Sequence, residues 1–185
     1  MNRKQFLASL LTVSTVALAA WTSPATAGTL PPDVQAKVEK AKKRLVELAA
    51  NPAIVAAVRE ANVKGNGGMT NGKWVDLGDA DAPVKAILTT PVSVQIAKWE
   101  KEDDTVNKIL LRDNAGNLVG ASVRPLIYNN ASRPVFSHAF KEAQPWAADE
   151  IKPDTSTQIP SVHVAAPVLD GGKAIGVLHS AVTAK

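Results

Sequence analysis

Cysteine is absent from the 185 residues. That excludes a disulfide framework, a thiolate metal site and a lipid anchor on a cysteine. Histidine is scarce: His138, His163 and His179 are the three, and they fall at no metal-ligand spacing within one element. Gly65, Gly67 and Gly68 precede no Lys-Ser or Lys-Thr, so they form no phosphate cradle. Asp76, Asp79 and Asp81 match no calcium-loop spacing, and the Asp113-to-Asn117 turn lacks the acidic ligands such a loop requires. No nucleophile with a base and no paired carboxylates stand out, so the chain reads as non-enzymatic and without a cofactor or metal. Repeats and low-complexity tracts are missing as well.

The first residues read as an export leader. Arg3 and Lys4 form a positive start, Phe6 to Ala20 an apolar run, and Ala25-Thr26-Ala27 a small-residue cleavage site. The run is shorter than the roughly 20 residues of a bilayer span. Residues 1–27 are therefore expected to be a signal peptide cleaved after Ala27, and 28–185 a single domain, periplasmic or secreted. Losing Arg3 and Lys4 and no acid lowers the formal charge from +4 to +2, too mild for a nucleic-acid partner. A domain of this length buries about 70% of its unfolded surface.

Along that domain, Val34, Val38, Ala41, Leu45 and Leu48 recur at three- and four-residue spacing after Asp33, a capping candidate, and predict a long amphipathic helix. Asn51-Pro52 interrupts it, and a second piece carries Ile54, Val55 and Val58. The lysine-rich run between residues 37 and 44 reads as the solvated face. The Gly- and Asn-rich stretch 65–83 reads as loop anchored by Trp74. A further helix is expected from Pro91 to about Glu102. The period then changes to two. Strands are expected on either side of the Asp113–Asn117 turn and of Asp170-Gly171-Gly172. A three-residue turn at the latter makes His163 and His179 direct cross-strand neighbours, and a one-residue slip sends them to opposite faces. The expected class is α+β, an antiparallel sheet of about five strands behind a long N-terminal helix.

The segment "NNASRPVFSHAF" carries the main binding candidate. Pro134 suits a first helical position, with Ser132 or Asn130 available as a cap. Arg133 then sits at a helix N-terminus, where N–H groups favour an anion, and its fork matches a carboxylate. Tyr128, His138, Trp146, Asp154, Ser156 and His163 lie on segments that would surround it. The structural alternative is an ion pair of Arg133 with Asp154 or a neighbouring Glu.

Three stretches resemble the Cache, or PDC-type, family of extracytoplasmic sensor domains, PAS-like in fold: "NPAIVAAVREAN", "ILLRDNAGNLVGAS" and "DTSTQIPSVHVAAPVLDGGKAIGVLHSAV". Arg133-Pro134-Val135-Phe136 with Ala139 is similar to the Arg-Pro-Tyr-Phe-x-x-Ala segment of members that sense C4-dicarboxylates. The resemblance implies an arginine that holds a ligand carboxylate and, with it, Asp154 as a pocket or structural residue. Val135 stands where that subgroup has an aromatic residue, and Asn130 where it often has a tyrosine. Family members lie between two membrane helices and feed an effector. This chain is expected instead to be free-standing, binding a small metabolite such as a carboxylate or amino acid, with a membrane receptor as its partner. The rival expectation is an interaction module with a degenerate pocket, dimerising through its first helix.

Overall fold

The computed structural model describes residues 30–185, so the expected leader lies outside the described residues. Helix α1 (Pro32–Ala49) buries the predicted stripe of Val34, Val38, Ala41, Leu45 and Leu48. Asp33 is not its cap. Pro31 takes that position with no side-chain cap, and Asp33 lies in the first turn, where its charge suits the helix's positive end. Asn51 caps α2 (Pro52–Lys64) by accepting from the Ala53 N–H at 2.9 Å. The stretch expected as loop contains two short helices, α3 (Asn71–Val75) and α4 (Ala82–Leu88). Local capping by Thr70 and the burial of Trp74 override its glycine content. The Trp74 indole donates to the Pro125 carbonyl at 2.8 Å, which makes it the anchor expected. Helix α5 (Pro91–Lys101) follows, capped by Thr90.

The sheet is antiparallel throughout and α+β in class. Strands β1 (Val106–Arg112), β2 (Leu118–Ala121), β3 (Trp146–Ala147), β4 (Lys152–Pro153), β5 (Pro160–Asp170) and β6 (Lys173–Thr183) run in the order β2-β1-β6-β5-β3, with β4 also on β5. It has six strands rather than about five, two of them only two residues long. Helix α6 (Pro134–Glu142) crosses between β2 and β3.

Strand alternation assigns the two faces. Ile109, Leu111, Val162, Val164, Leu178 and Val182 meet α1 and α2 in the main core. The intervening residues Lys108, Leu110, Arg112, His163, Ala165, Val177 and His179 take the other face. There α6 seats Val135, Phe136 and Ala139 on Ala165 and Val177.

Asp113 organises the first turn, accepting from the Ala115 and Asn117 N–H groups at 2.9 and 2.8 Å. Gly116 takes φ 80° there and lies against Ala131, where a Cβ would come within 2.6 Å of the backbone nitrogen. The β5–β6 hairpin closes with Asp170 opposite Lys173, and a bulge at Val168/Leu169 shifts the register. Ala165 therefore faces His179 and His163 faces Ala181. The two histidines share a face as diagonal neighbours, a register one step beyond both expected, because the two-residue turn slips the pairing by one and the bulge by one more. Among the described residues no helix is long and apolar enough to cross a membrane.

Candidate functional site

A cavity lies on the face opposite α1, between the sheet, the N-terminus of α6 and the segments 122–133 and 154–159. Lys108, Arg112, His163 and His179 form its floor, and Asn130, Arg133 and Ser156 lie at its sides. Its volume is about 20 Å³, room for about one water molecule.

Asp154 lies fully buried beside it. Its Oδ1 accepts from the N–H groups of Ser156 and Thr157 at 2.9 and 3.0 Å and from the Thr157 hydroxyl at 3.2 Å. Its Oδ2 accepts from His163 Nε2 at 2.9 Å and pairs with the Lys108 ammonium. Burial alone would raise this carboxyl. The hydrogen bonds from His163 and Lys108, with the Lys108 charge and the Thr157 N–H, outweigh it and hold Asp154 well below the usual carboxylate range. Burial lowers Lys108 despite Asp154, and the charges of Arg112 and Arg133 add to the lowering. The depression of Asp154 keeps its carboxylate charged at neutral pH.

Arg112 is a clamp for the overlying loop. Its Nη2 donates to the Ile127 carbonyl at 3.1 Å and its Nη1 to the Tyr128 carbonyl. Its Nε donates to His179 Nε2 at 3.2 Å. Burial pushes the Arg112 guanidinium down to about 9, which leaves it charged at pH 7. The same burial, with Arg112, Lys108 and His163 nearby, drives His179 well below its ordinary 6.5. His179 is thus neutral, accepting from Arg112 through Nε2, and its buried Nδ1 has no partner. The buried Asn130 Oδ1 also has none.

Arg133 is the N-cap residue of α6, extended at φ −87° and ψ 141°, with Pro134 directly after it. Neither Ser132 nor Asn130 caps the helix through its side chain. The expected alternative of an Arg133–Asp154 ion pair is absent, since Lys108 occupies that carboxylate. Among the described residues the Arg133 guanidinium has no hydrogen-bond or ion-pair partner, yet its charge bears on both Lys108 and Arg112. A loop contact closes the cavity: the Leu126 N–H donates to Ser156 Oγ at 3.1 Å.

The structure thus brings together Arg133, Asp154, Ser156 and His163 of the residues expected around a pocket. It places the other three elsewhere. Tyr128 packs on Trp74 at 5.5 Å between ring centroids, in a separate apolar cluster. His138 and Trp146 stack on each other at 5.4 Å beside α6, with His138 also bonded to Glu142 at 3.2 Å. Sequence reasoning misses Lys108, Arg112, Asn130 and His179. Period two in "NKILLR" was the available signal, because it sets Lys108, Leu110 and Arg112 on one face.

No family model matches the chain, and no curated protein does. Solved structures resemble it at low identity. The sensor domain of the Vibrio cholerae histidine kinase DctB shares 15% identity at a TM-score of 0.44, over 82% of this chain and 57% of that one. The ligand-binding domain of the Pseudomonas aeruginosa amino acid chemoreceptor PctC, in complex with GABA, shares 17% at 0.42, over 82% and 55%. A type II free methionine-R-sulfoxide reductase from Thermoplasma acidophilum aligns with 49% of this chain and 71% of its own, at 12% identity and a TM-score of 0.41. The chain spans little more than half the length of the two sensor domains.

Proposed function

We propose that this chain is a non-enzymatic, exported binding module of the Cache type. It holds a small carboxylate against Arg133 and presents that state to a membrane receptor. The observation that carries the reading is the unpartnered Arg133 guanidinium at the N-terminus of α6, beside two further cations, Lys108 and Arg112. A helix N-terminus and an arginine fork both favour an anion. The one carboxylate beside the cavity, Asp154, already accepts from five donors. It has nothing left for a ligand ammonium, which favours a plain carboxylate over an amino acid. The 20 Å³ cavity admits such a ligand only when segments 122–133 and 154–159 part. Binding then shifts the population toward the parted form by no more than its differential affinity. In this reading residues 1–27 direct export and the domain acts in the periplasm or outside the cell.

The test is a thermal-shift titration with mono- and dicarboxylates and amino acids, with Arg133→Ala in parallel. A carboxylate at a hundredfold excess over its Kd stabilises by ~2.7 kcal/mol, roughly 5–10 °C for a domain of this size. The shift should vanish in Arg133→Ala while the variant stays folded. The small cavity favours one second reading, a pocket filled by its own side chains in a protein-docking module. Its signature is no shift across the panel. A dimer through α1 finds little support in that reading, since α1 turns its apolar stripe inward and leaves Val46 as its exposed large hydrophobic residue.

A further inference from the structure

A second cavity, of about 370 Å³, lies on the opposite face of the sheet, between α1, α5 and the β1–β6 pair. Leu45 and Leu48 of α1, Trp99 of α5 and Ile109 of β1 wall it, and Ser180 of β6 lies at its floor. Ser180 is 1% exposed, and its hydroxyl has no hydrogen-bond partner. Its neighbours on that face are all apolar: Leu178 and Val182 along β6, with Ile109 and Val164 opposite it on β1 and β5. A packed core has no use for a lone hydroxyl at that point, because a buried unpaired donor and acceptor costs stability that a methyl group would not. The serine leaves both a void and a hydrogen-bonding group aimed into it.

The mouth carries charges of both signs in equal number. Lys40, Lys43 and Arg44 stand opposite Glu47, Glu102 and Asp103. Ion pairs of Lys40 with Asp103 at 3.9 Å and of Arg44 with Glu102 at 3.8 Å join α1 to the end of α5. Neither an anion nor a cation gains from such a rim. We propose that this cavity is a binding site, separate from the one at Arg133, for a small uncharged molecule. That molecule has an apolar body and one hydroxyl or carbonyl group to pair with Ser180. The volume lies within the range of small-molecule sites.

The experiment follows the methyl resonances of Leu45, Leu48 and Ile109 in the full-length protein during titration with benzyl alcohol, cyclohexanol and toluene. Saturable shifts are expected for the two alcohols, with a Kd of about 1 mM or tighter. Toluene, which lacks the hydroxyl, should bind roughly fivefold more weakly than benzyl alcohol. Ser180→Val narrows the floor of the cavity and removes the hydroxyl, so it should weaken alcohol binding at least as much as Ser180→Ala and raise the melting temperature. Ser180→Ala keeps the space, and in it benzyl alcohol should fall to the affinity of toluene. The proposal is overturned by an absence of saturable shifts in the wild type, by equal affinity for benzyl alcohol and toluene, or by unchanged alcohol binding in Ser180→Ala.

Discussion

Asp154 and Lys108 form a buried ion pair whose members are nearly or wholly out of solvent. Breaking such a pair from one side strands the other charge. Asp154→Asn should therefore cost about 3–5 kcal/mol, and adding Lys108→Met should recover much of the loss. Urea unfolding of the two single variants and the double variant measures the coupling directly. His179 sets a pH dependence of its own. Its folded-state value lies well below the ordinary 6.5. Below pH 6.5 the unfolded chain therefore takes up a proton that the folded chain refuses. Stability falls as pH falls, by about 1.4 kcal/mol per unit while that difference lasts. Asp154 adds its loss lower down, as pH drops below its ordinary 3.8 toward the depressed folded value. Urea midpoints between pH 7 and pH 5 should fall steeply in the wild type and less in His179→Gln. Equal slopes in the two proteins would remove His179 from this role.

The strands β1 and β6 line both cavities, and the close approach of their backbones depends on one glycine. A Cβ on Gly176 would stand 2.3 Å from the Arg112 carbonyl oxygen and 2.7 Å from Val58 Cγ1. Gly176→Ala should push β6 away from β1 and α2 at a cost of about 2–3 kcal/mol, a melting-temperature drop of roughly 5–10 °C. A drop under 1 °C would mean that the strands yield without loss. The helix α1 was legible because its stripe from Val34 to Leu48 runs over about four turns, and the strands because their apolar runs flank the turn signals at Asp113–Asn117 and Asp170-Gly171-Gly172. Helices α3 and α4 were not legible: each is two turns or fewer, set in glycine and aspartate, and Trp74 holds the first by a bond to a residue 51 positions away. The site divides along the same line. Arg133 was readable from its place before Pro134. Lys108 as the partner of Asp154 was not, because that pairing joins β1 to a loop 46 residues later and appears only once the sheet has a register. Tyr128 and Trp146 misled for a similar reason, since an aromatic residue near a pocket segment looks alike whether it faces the pocket or the core beside it.

Across the domain the two cavities occupy opposite faces of one sheet and meet at consecutive residues of β6, His179 and Ser180. Their covers differ. On one side α1 lies along the sheet with a full apolar stripe. On the other, two irregular segments close over the charged floor, joined by the single bond from Leu126 to Ser156 and held from below by Arg112. Gln158 in the second segment takes φ 60°, a left-handed conformation costly for a residue with a side chain and sustained here by its N–H bond to the Asp154 carbonyl at 2.8 Å. Segments with few apolar contacts open at lower free energy than central strands. Native-state hydrogen exchange should therefore separate the two sides. The amides of Leu126, Ser156 and Thr157 should exchange at least about a hundredfold faster than those of Val164 and Leu178 in the core strands. A carboxylate that binds at Arg133 favours the parted form, so it should speed the exchange of the Leu126 amide, whose bond to Ser156 that form breaks, and leave the core strands unchanged. If Leu126 exchanges as slowly as Val164, the segments do not part, a ligand has no way in, and the Arg133 cavity is an internal charge cluster that stabilises the fold.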